Sequence, residues 1–116
     1  MADITIEAAA QSSAYSRYRR GGIFWTTPLI GYVIYIDSVS DLKYRKTADG
    51  GATWGAAQNI RTGTIYTYDC FADWQVAGDA GTLVHIVYMD DDTSDTRYVN
   101  LDTSDDSING DDLIES

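Results

Sequence analysis

Short runs in which apolar and polar residues alternate recur along the chain, separated by clusters of Gly, Ser, Asp and Thr. A period of two places successive side chains on opposite faces of an extended strand. Ile4 and Ile6 alternate with polar neighbours over residues 3–7 and read as a short strand. Residues 8–21 are small, polar and basic and read as a loop. Ile23-Phe24-Trp25 begins the next strand, and Thr27-Pro28 ends it. Tyr32-Val33-Ile34-Tyr35-Ile36 is an unbroken β-branched and aromatic run, the strongest strand of the first half. Ser38 to Asp41 turn the chain, and Leu42-Lys43-Tyr44-Arg45-Lys46 alternates as a half-exposed strand. Gln58-Asn59-Ile60-Arg61 reads as a weak outer strand. No segment longer than a turn has a 3.6-residue apolar period, and Glu7-Ala8-Ala9-Ala10-Gln11 is too short to stand as a helix. The pattern predicts an all-β chain.

The second half restates the first. Val84 to Asp90 parallels Val33 to Asp37, Arg97-Tyr98 parallels Lys43-Tyr44, and Trp74 stands for Trp25. Ile108 follows Trp54, and Leu113-Ile114-Glu115 follows Asn59-Ile60-Arg61, at the same spacing. Each repeat is roughly 50 residues with four short strands, the size of one β-propeller blade. Residues 1–61 then hold an N-terminal segment plus one blade, and residues 62–116 a second blade.

Between the third and fourth strands of the first repeat lies Thr47-Ala48-Asp49-Gly50-Gly51-Ala52-Thr53-Trp54. Asp49 can accept hydrogen bonds from nearby backbone N–H groups, and the two glycines supply positive φ angles. The spacing Ser/Thr-x-Asp-x-Gly-x-Thr-Trp, met by Thr47, Asp49, Gly51, Thr53 and Trp54, resembles the Asp-box of the BNR repeat family of sialidase-like β-propellers. The corresponding turn of the second repeat, Asp102 to Ile108, lacks the glycines and the Trp and is a degenerate version. The resemblance implies four-stranded blades in a closed ring, with the Asp-box structural and pointing away from any ligand. Ligands would meet the other face, formed by residues 8–21, Asp37 to Asp41, Thr62 to Asp69 and Asp90 to Thr96.

A propeller closes only with about four to eight blades. Two blades leave sheet faces uncovered, so self-assembly is expected, and the six blades of catalytic sialidases favour a homotrimer. The start at Met1 and the complete second repeat favour an intact product over a fragment.

Charge narrows the partners. The chain of 116 residues carries eighteen acidic and eight basic side chains, a formal net charge of −10. That excludes a nucleic-acid backbone as the expected partner, because phosphate binding is driven by Lys and Arg. Residues 90–116 hold ten of the carboxylates with only Arg97 among them in compensation, which reads as a solvated surface. Cys70 is alone, so no intrachain disulfide forms. No apolar run is long enough to span a membrane, and the N-terminal residues show neither a basic nor an apolar leader region.

Candidate chemistry is sparse. Tyr18-Arg19-Arg20 precedes the first blade where sialidases carry a Tyr-Arg-Ile-Pro-like motif. By that resemblance Arg19 or Arg20 would hold a carboxylate, although the Ile-Pro is missing here. Tyr15, Tyr18, Tyr66 and Tyr68 precede the first strands of the two blades and suit stacking on a sugar face. Sialidase catalysis needs a Tyr nucleophile activated by Glu, whereas Glu7 and Glu115 lie near the two ends; Asp37, Asp41, Asp69 and Asp90 are spare carboxylates. Asp105-x-Ser107-x-Asn109-Gly110 begins like a calcium loop, but Ser116 replaces the closing Glu, and an Asn-Gly turn is the simpler reading. His85, within an apolar strand and without a second His, reads as a core or interface residue. The expected function is a non-catalytic carbohydrate- or small-anion-binding propeller without a cofactor, built by homo-oligomerisation. The alternatives are a structural or interaction module, such as a virion or surface scaffold, and then a sialidase-like glycoside hydrolase.

Overall fold

A computed structural model describes residues 5–6 and 22–116. The chain is all-β. It forms β1 (Ile23–Trp25), β2 (Gly31–Ile36), β3 (Leu42–Thr47), β4 (Gln58–Arg61), β5 (Ile65–Ala72), β6 (Leu83–Asp90), β7 (Asp95–Asp102) and β8 (Ser107–Glu115). Consecutive strands pair antiparallel into two four-stranded sheets, β1-β2-β3-β4 and β5-β6-β7-β8, and neither sheet closes on itself. Among the described residues no helix is long and apolar enough to cross a membrane.

The two sheets repeat one another in detail. Asp37 directly follows β2 and Asp90 ends β6; both are buried, and each carboxylate accepts the backbone N–H two residues on, from Val39 and from Asp92. Ser40 and Ser94, the residues before the last in each following turn, both take positive φ, 71° and 58°. Tyr44 lies opposite Ile34, as Tyr98 lies opposite Val87; Phe24 lies opposite Tyr32, as Phe71 lies opposite His85. With this register, Tyr32, Ile34 and Ile36 correspond to His85, Val87 and Met89.

Alternation along the strands gives each sheet two faces. Face A of the first sheet carries Phe24, Tyr32, Ile34, Ile36, Leu42 and Tyr44, all buried. Face B of the second sheet carries Ala72, Val84, Ile86, Tyr88, Val99 and Leu101, also buried. Among the described residues these two faces make a continuous core. The sheets are therefore stacked in series, face A of one on face B of the next, and not back to back on equivalent faces.

Three details differ from the sequence reading. Tyr66 and Tyr68 lie inside β5 and do not precede it, because strand pairing continues to Ile65 opposite Asp90. Trp74 sits in a single 3-10 turn, Asp73–Gln75, and the residue in the place of Trp25 is Ala72. Asn109 and Gly110 do not form a turn: β8 runs through them, and Gly110 takes φ 85° where the β7–β8 register shifts by a bulge. The strand read over residues 3–7 lies largely outside the described residues.

Candidate functional site

The strand ends sort the loops into two sets. At one end lie the β2–β3 turn, the β4–β5 link and the β6–β7 turn. They are tied together by Gly63 N donating to the Asp41 carboxylate (3.1 Å), Ile65 N to the Ser40 carbonyl (2.9 Å), Asp91 N to the Thr64 carbonyl (2.8 Å) and the Thr64 hydroxyl to Asp92 (2.8 Å). The opposite end carries the β3–β4 and β7–β8 turns.

The β3–β4 turn is built by its own side chains. Thr47 Oγ1 donates to Asp49 Oδ1 at 2.8 Å and accepts Gly51 N at 2.9 Å. Asp49 then receives Thr53 N on Oδ1 (2.8 Å) and the Thr53 hydroxyl on Oδ2 (2.6 Å). These bonds, led by the Thr53 hydroxyl, hold the Asp49 carboxyl below the usual carboxylate range. Gly50 and Gly51 stand at φ 72° and 91°, conformations that a side chain would strain. Gly50 N donates to the Leu29 carbonyl, and Trp54 meets the Trp25 ring edge-on at 6.3 Å between centroids. All five motif residues thus act on the turn or its packing. Asp49 spends its acceptors on Thr47 and Thr53, so the turn offers no reactive group.

In the β7–β8 turn the carboxylates work locally and between sheets. Asp102 accepts Ser104 N and the hydroxyls of Ser104 and Thr82, and Asp105 accepts Ser107 N and the Ser107 hydroxyl. Asp106, at φ 61°, reaches the first sheet: its carboxylate accepts the Tyr32 hydroxyl and pairs with Lys46 Nζ at 2.8 Å, while its carbonyl accepts the Tyr44 hydroxyl at 3.3 Å. Burial and then this carboxylate push the Tyr32 phenol well above its ordinary range. The acids of the calcium-like stretch are therefore engaged by hydroxyls and amides, and no group of three metal-ligating residues gathers among the described residues.

Tyr66 is 44% exposed near the start of β5, at the end that gathers the Asp91 and Asp92 loop. Tyr68 is buried on face B, and its hydroxyl donates to the Ile34 carbonyl at 2.7 Å across the two sheets. That placement makes Tyr68 a packing residue and leaves no ring face for a sugar. Tyr18, Arg19 and Arg20 lie outside the described residues.

One polar constellation was not legible as such in the sequence. On face A of the second sheet, His85 Nε2 contacts Asp73 Oδ1 at 2.6 Å, and Nδ1 contacts the Tyr98 hydroxyl at 2.7 Å. Asp73 Oδ2 accepts Leu83 N, and Asn100 Nδ2 donates to the Tyr98 oxygen at 3.4 Å. The His85 contact holds the Asp73 carboxyl below its usual range, so a carboxylate faces Nε2. In neutral imidazole this fixes the proton on Nε2 and leaves Nδ1 to accept the Tyr98 hydroxyl. The signal was available once β6 and β7 were paired, because His85 and Tyr98 are diagonal neighbours on one face. His85, Tyr98 and Asn100 occupy the places of Tyr32, Tyr44 and Lys46, the three residues that grip Asp106. Among known protein families, curated proteins and solved structures, none matches this chain.

Proposed function

We propose that the chain is a non-catalytic binding module, a two-blade unit of a β-propeller that closes by homo-oligomerisation and takes a carbohydrate at the end opposite the Asp-box. The observation that carries this reading is the serial repeat of the two sheets, matched from Asp37 and Asp90 to Ser40 and Ser94. Three copies would supply six blades, the number that the resemblance to sialidase-like propellers favours.

The loop end supports a neutral sugar over a small anion. Asp91 and Asp92 are exposed in the β6–β7 turn there, and Tyr66 is exposed near the start of β5 at the same end. An aromatic face with nearby carboxylates matches the C–H face and hydroxyls of a sugar. The same carboxylates repel a free anion, and basic residues such as Arg19 and Arg20 would be needed to reverse that. Glycan-array binding of the wild type against Tyr66→Ala, with parallel titration of sialic acid and sulfate, tests the reading. Binding lost in Tyr66→Ala supports it. An array without signal for the wild type leaves the structural or interaction module, which the uncovered sheet faces favour.

A further inference from the structure

We infer that face A of the second sheet, around Phe71, Val87 and Met89, is the docking surface for face B of the first sheet of another copy of this chain. The inference rests on the propeller reading and names the contact that the reading requires.

The chain already contains one example of this contact. Within it, face A of the first sheet is covered by face B of the second. Phe24, Ile34 and Ile36 are accordingly 4%, 2% and 1% exposed. Their counterparts on the second sheet, Phe71, Val87 and Met89, are 48%, 41% and 40% exposed. The same kind of face is thus dry in one blade and bare in the other. Bare apolar positions on adjacent strands form a patch of the sort that marks an interaction surface. The complementary bare surface is face B of the first sheet, where Ile23 is 59% and Trp25 40% exposed, with Val33 and Tyr35 half-buried beside them.

Charge selects the pairing. In the same cross-strand rows as Val87 and Met89 stand Asp69, Asp112 and Glu115. Face B of the first sheet carries Lys43 and Arg45. Lys43 pairs with Asp37 at 2.7 Å, whereas Arg45 bonds the Gly55 carbonyl and the Tyr35 hydroxyl and forms no ion pair among the described residues. Two copies meeting through face A alone would oppose three carboxylates to three carboxylates. A head-to-tail contact sets these acids against Arg45, and a repeated head-to-tail contact closes a ring when its rotation returns to the start. By the same operation His85, Tyr98 and Asn100 would face the β3–β4 turn of the next copy, as Tyr32, Tyr44 and Lys46 face the β7–β8 turn.

The test uses Phe71→Glu on face A and Ile23→Glu on face B, both at exposed positions where a charge is tolerated by the single chain. Light scattering should give a multiple of 12.8 kDa for the wild type and a single-chain mass for each variant. Mixed together, the two variants should form a one-to-one pair and nothing larger, because only one intact junction remains. Wild-type assembly kept by both variants overturns the assignment of both faces while leaving the ring standing. Dissociation by Phe71→Glu alone, with Ile23→Glu unaffected, overturns the head-to-tail arrangement. A wild type of single-chain mass overturns both the assignment and ring assembly. Without any substitution, peroxide oxidation of Met89 should be slowed in the assembled protein and should speed up on dilution. Equal oxidation in both states defeats the proposal.

Discussion

The Tyr68 hydroxyl crosses from the second sheet to donate to the Ile34 main-chain carbonyl at 2.7 Å, in buried surroundings. Few contacts tie the sheets by a hydrogen bond as dry as this one. Tyr68→Phe keeps the ring and removes the hydroxyl that donates across the sheets. It should cost about 1–2 kcal/mol, the usual loss for a buried hydrogen bond. Urea unfolding should show a lower midpoint with an unchanged slope. A midpoint equal to that of the wild type would remove the bond from the account of how the sheets are held.

Asp106 is the second tie, gripped by the Tyr32 hydroxyl and by Lys46 at 2.8 Å. The Lys46 pair is about one-third exposed, so screening reduces its share, and the buried phenol should dominate. Asp106→Ala should therefore destabilise by about 1–2 kcal/mol, and Tyr32→Phe by about 1 kcal/mol. Because the two groups share one bond, the double variant should lose less than the sum. Strict additivity would show that the contact contributes nothing.

The strands and their grouping into two repeats were legible because alternation and β-branched runs report burial on one face. Tyr32 to Ile36 and Val84 to Asp90 stand in the structure where the pattern put them. Which face was dry was not legible: Ile34 and Val87 are equally apolar, and only packing distinguishes 2% from 41% exposure. The first strand of the second sheet was misplaced because Trp74 drew the alignment towards Trp25. In fact Asp73 is held by Leu83 N and His85, which fixes the chain as a 3-10 turn there. Asn109-Gly110 was read as a turn for its Asn-Gly pair, whereas Gly110 at φ 85° serves a bulge within β8. Asp49 and its partners were legible because the turn is closed by residues adjacent in sequence. The Asp73–His85–Tyr98 group was not, since it joins three separate elements.

The β3–β4 turn gives a comparison of polar and apolar support. Asp49→Ala removes the acceptor of Thr47, Thr53 N and the Thr53 hydroxyl, and should lower the melting temperature by a few degrees. Asp49→Asn should recover part of the loss, because its carbonyl oxygen still accepts. Trp54 is half-buried against Trp25, so Trp54→Ala should destabilise by about 2 kcal/mol, less than a fully buried indole would. Melting curves equal to the wild type for both alanine variants would take the turn out of the list of stabilising features.

Stability should fall on both sides of neutrality, for opposite reasons. Asp111 is held below the usual carboxylate range, first by the Tyr88 hydroxyl and then by Arg61 and Arg97. Asp49, Asp73 and Asp102 are lowered by hydrogen bonds led by Thr53, His85 and Ser104. A carboxylate depressed in the folded state binds fewer protons there than when unfolded. Its contribution is complete above the unfolded pKa of about 4 and is lost as pH drops through the lower folded value. Tyr32 and Tyr88 are raised, chiefly by burial and then by Asp106 and Asp111. Their contribution is complete below about pH 10 and is lost as pH rises beyond it, since the unfolded chain ionises first. The urea midpoint should therefore decline below about pH 4 and again above about pH 10. Asp111→Asn should flatten the acid limb, because its amide has no proton to gain. It should also alter the alkaline limb, since Tyr88 would no longer face a charge. An acid limb as steep in Asp111→Asn as in the wild type would show that the Tyr88–Asp111–Arg97 cluster does not govern it.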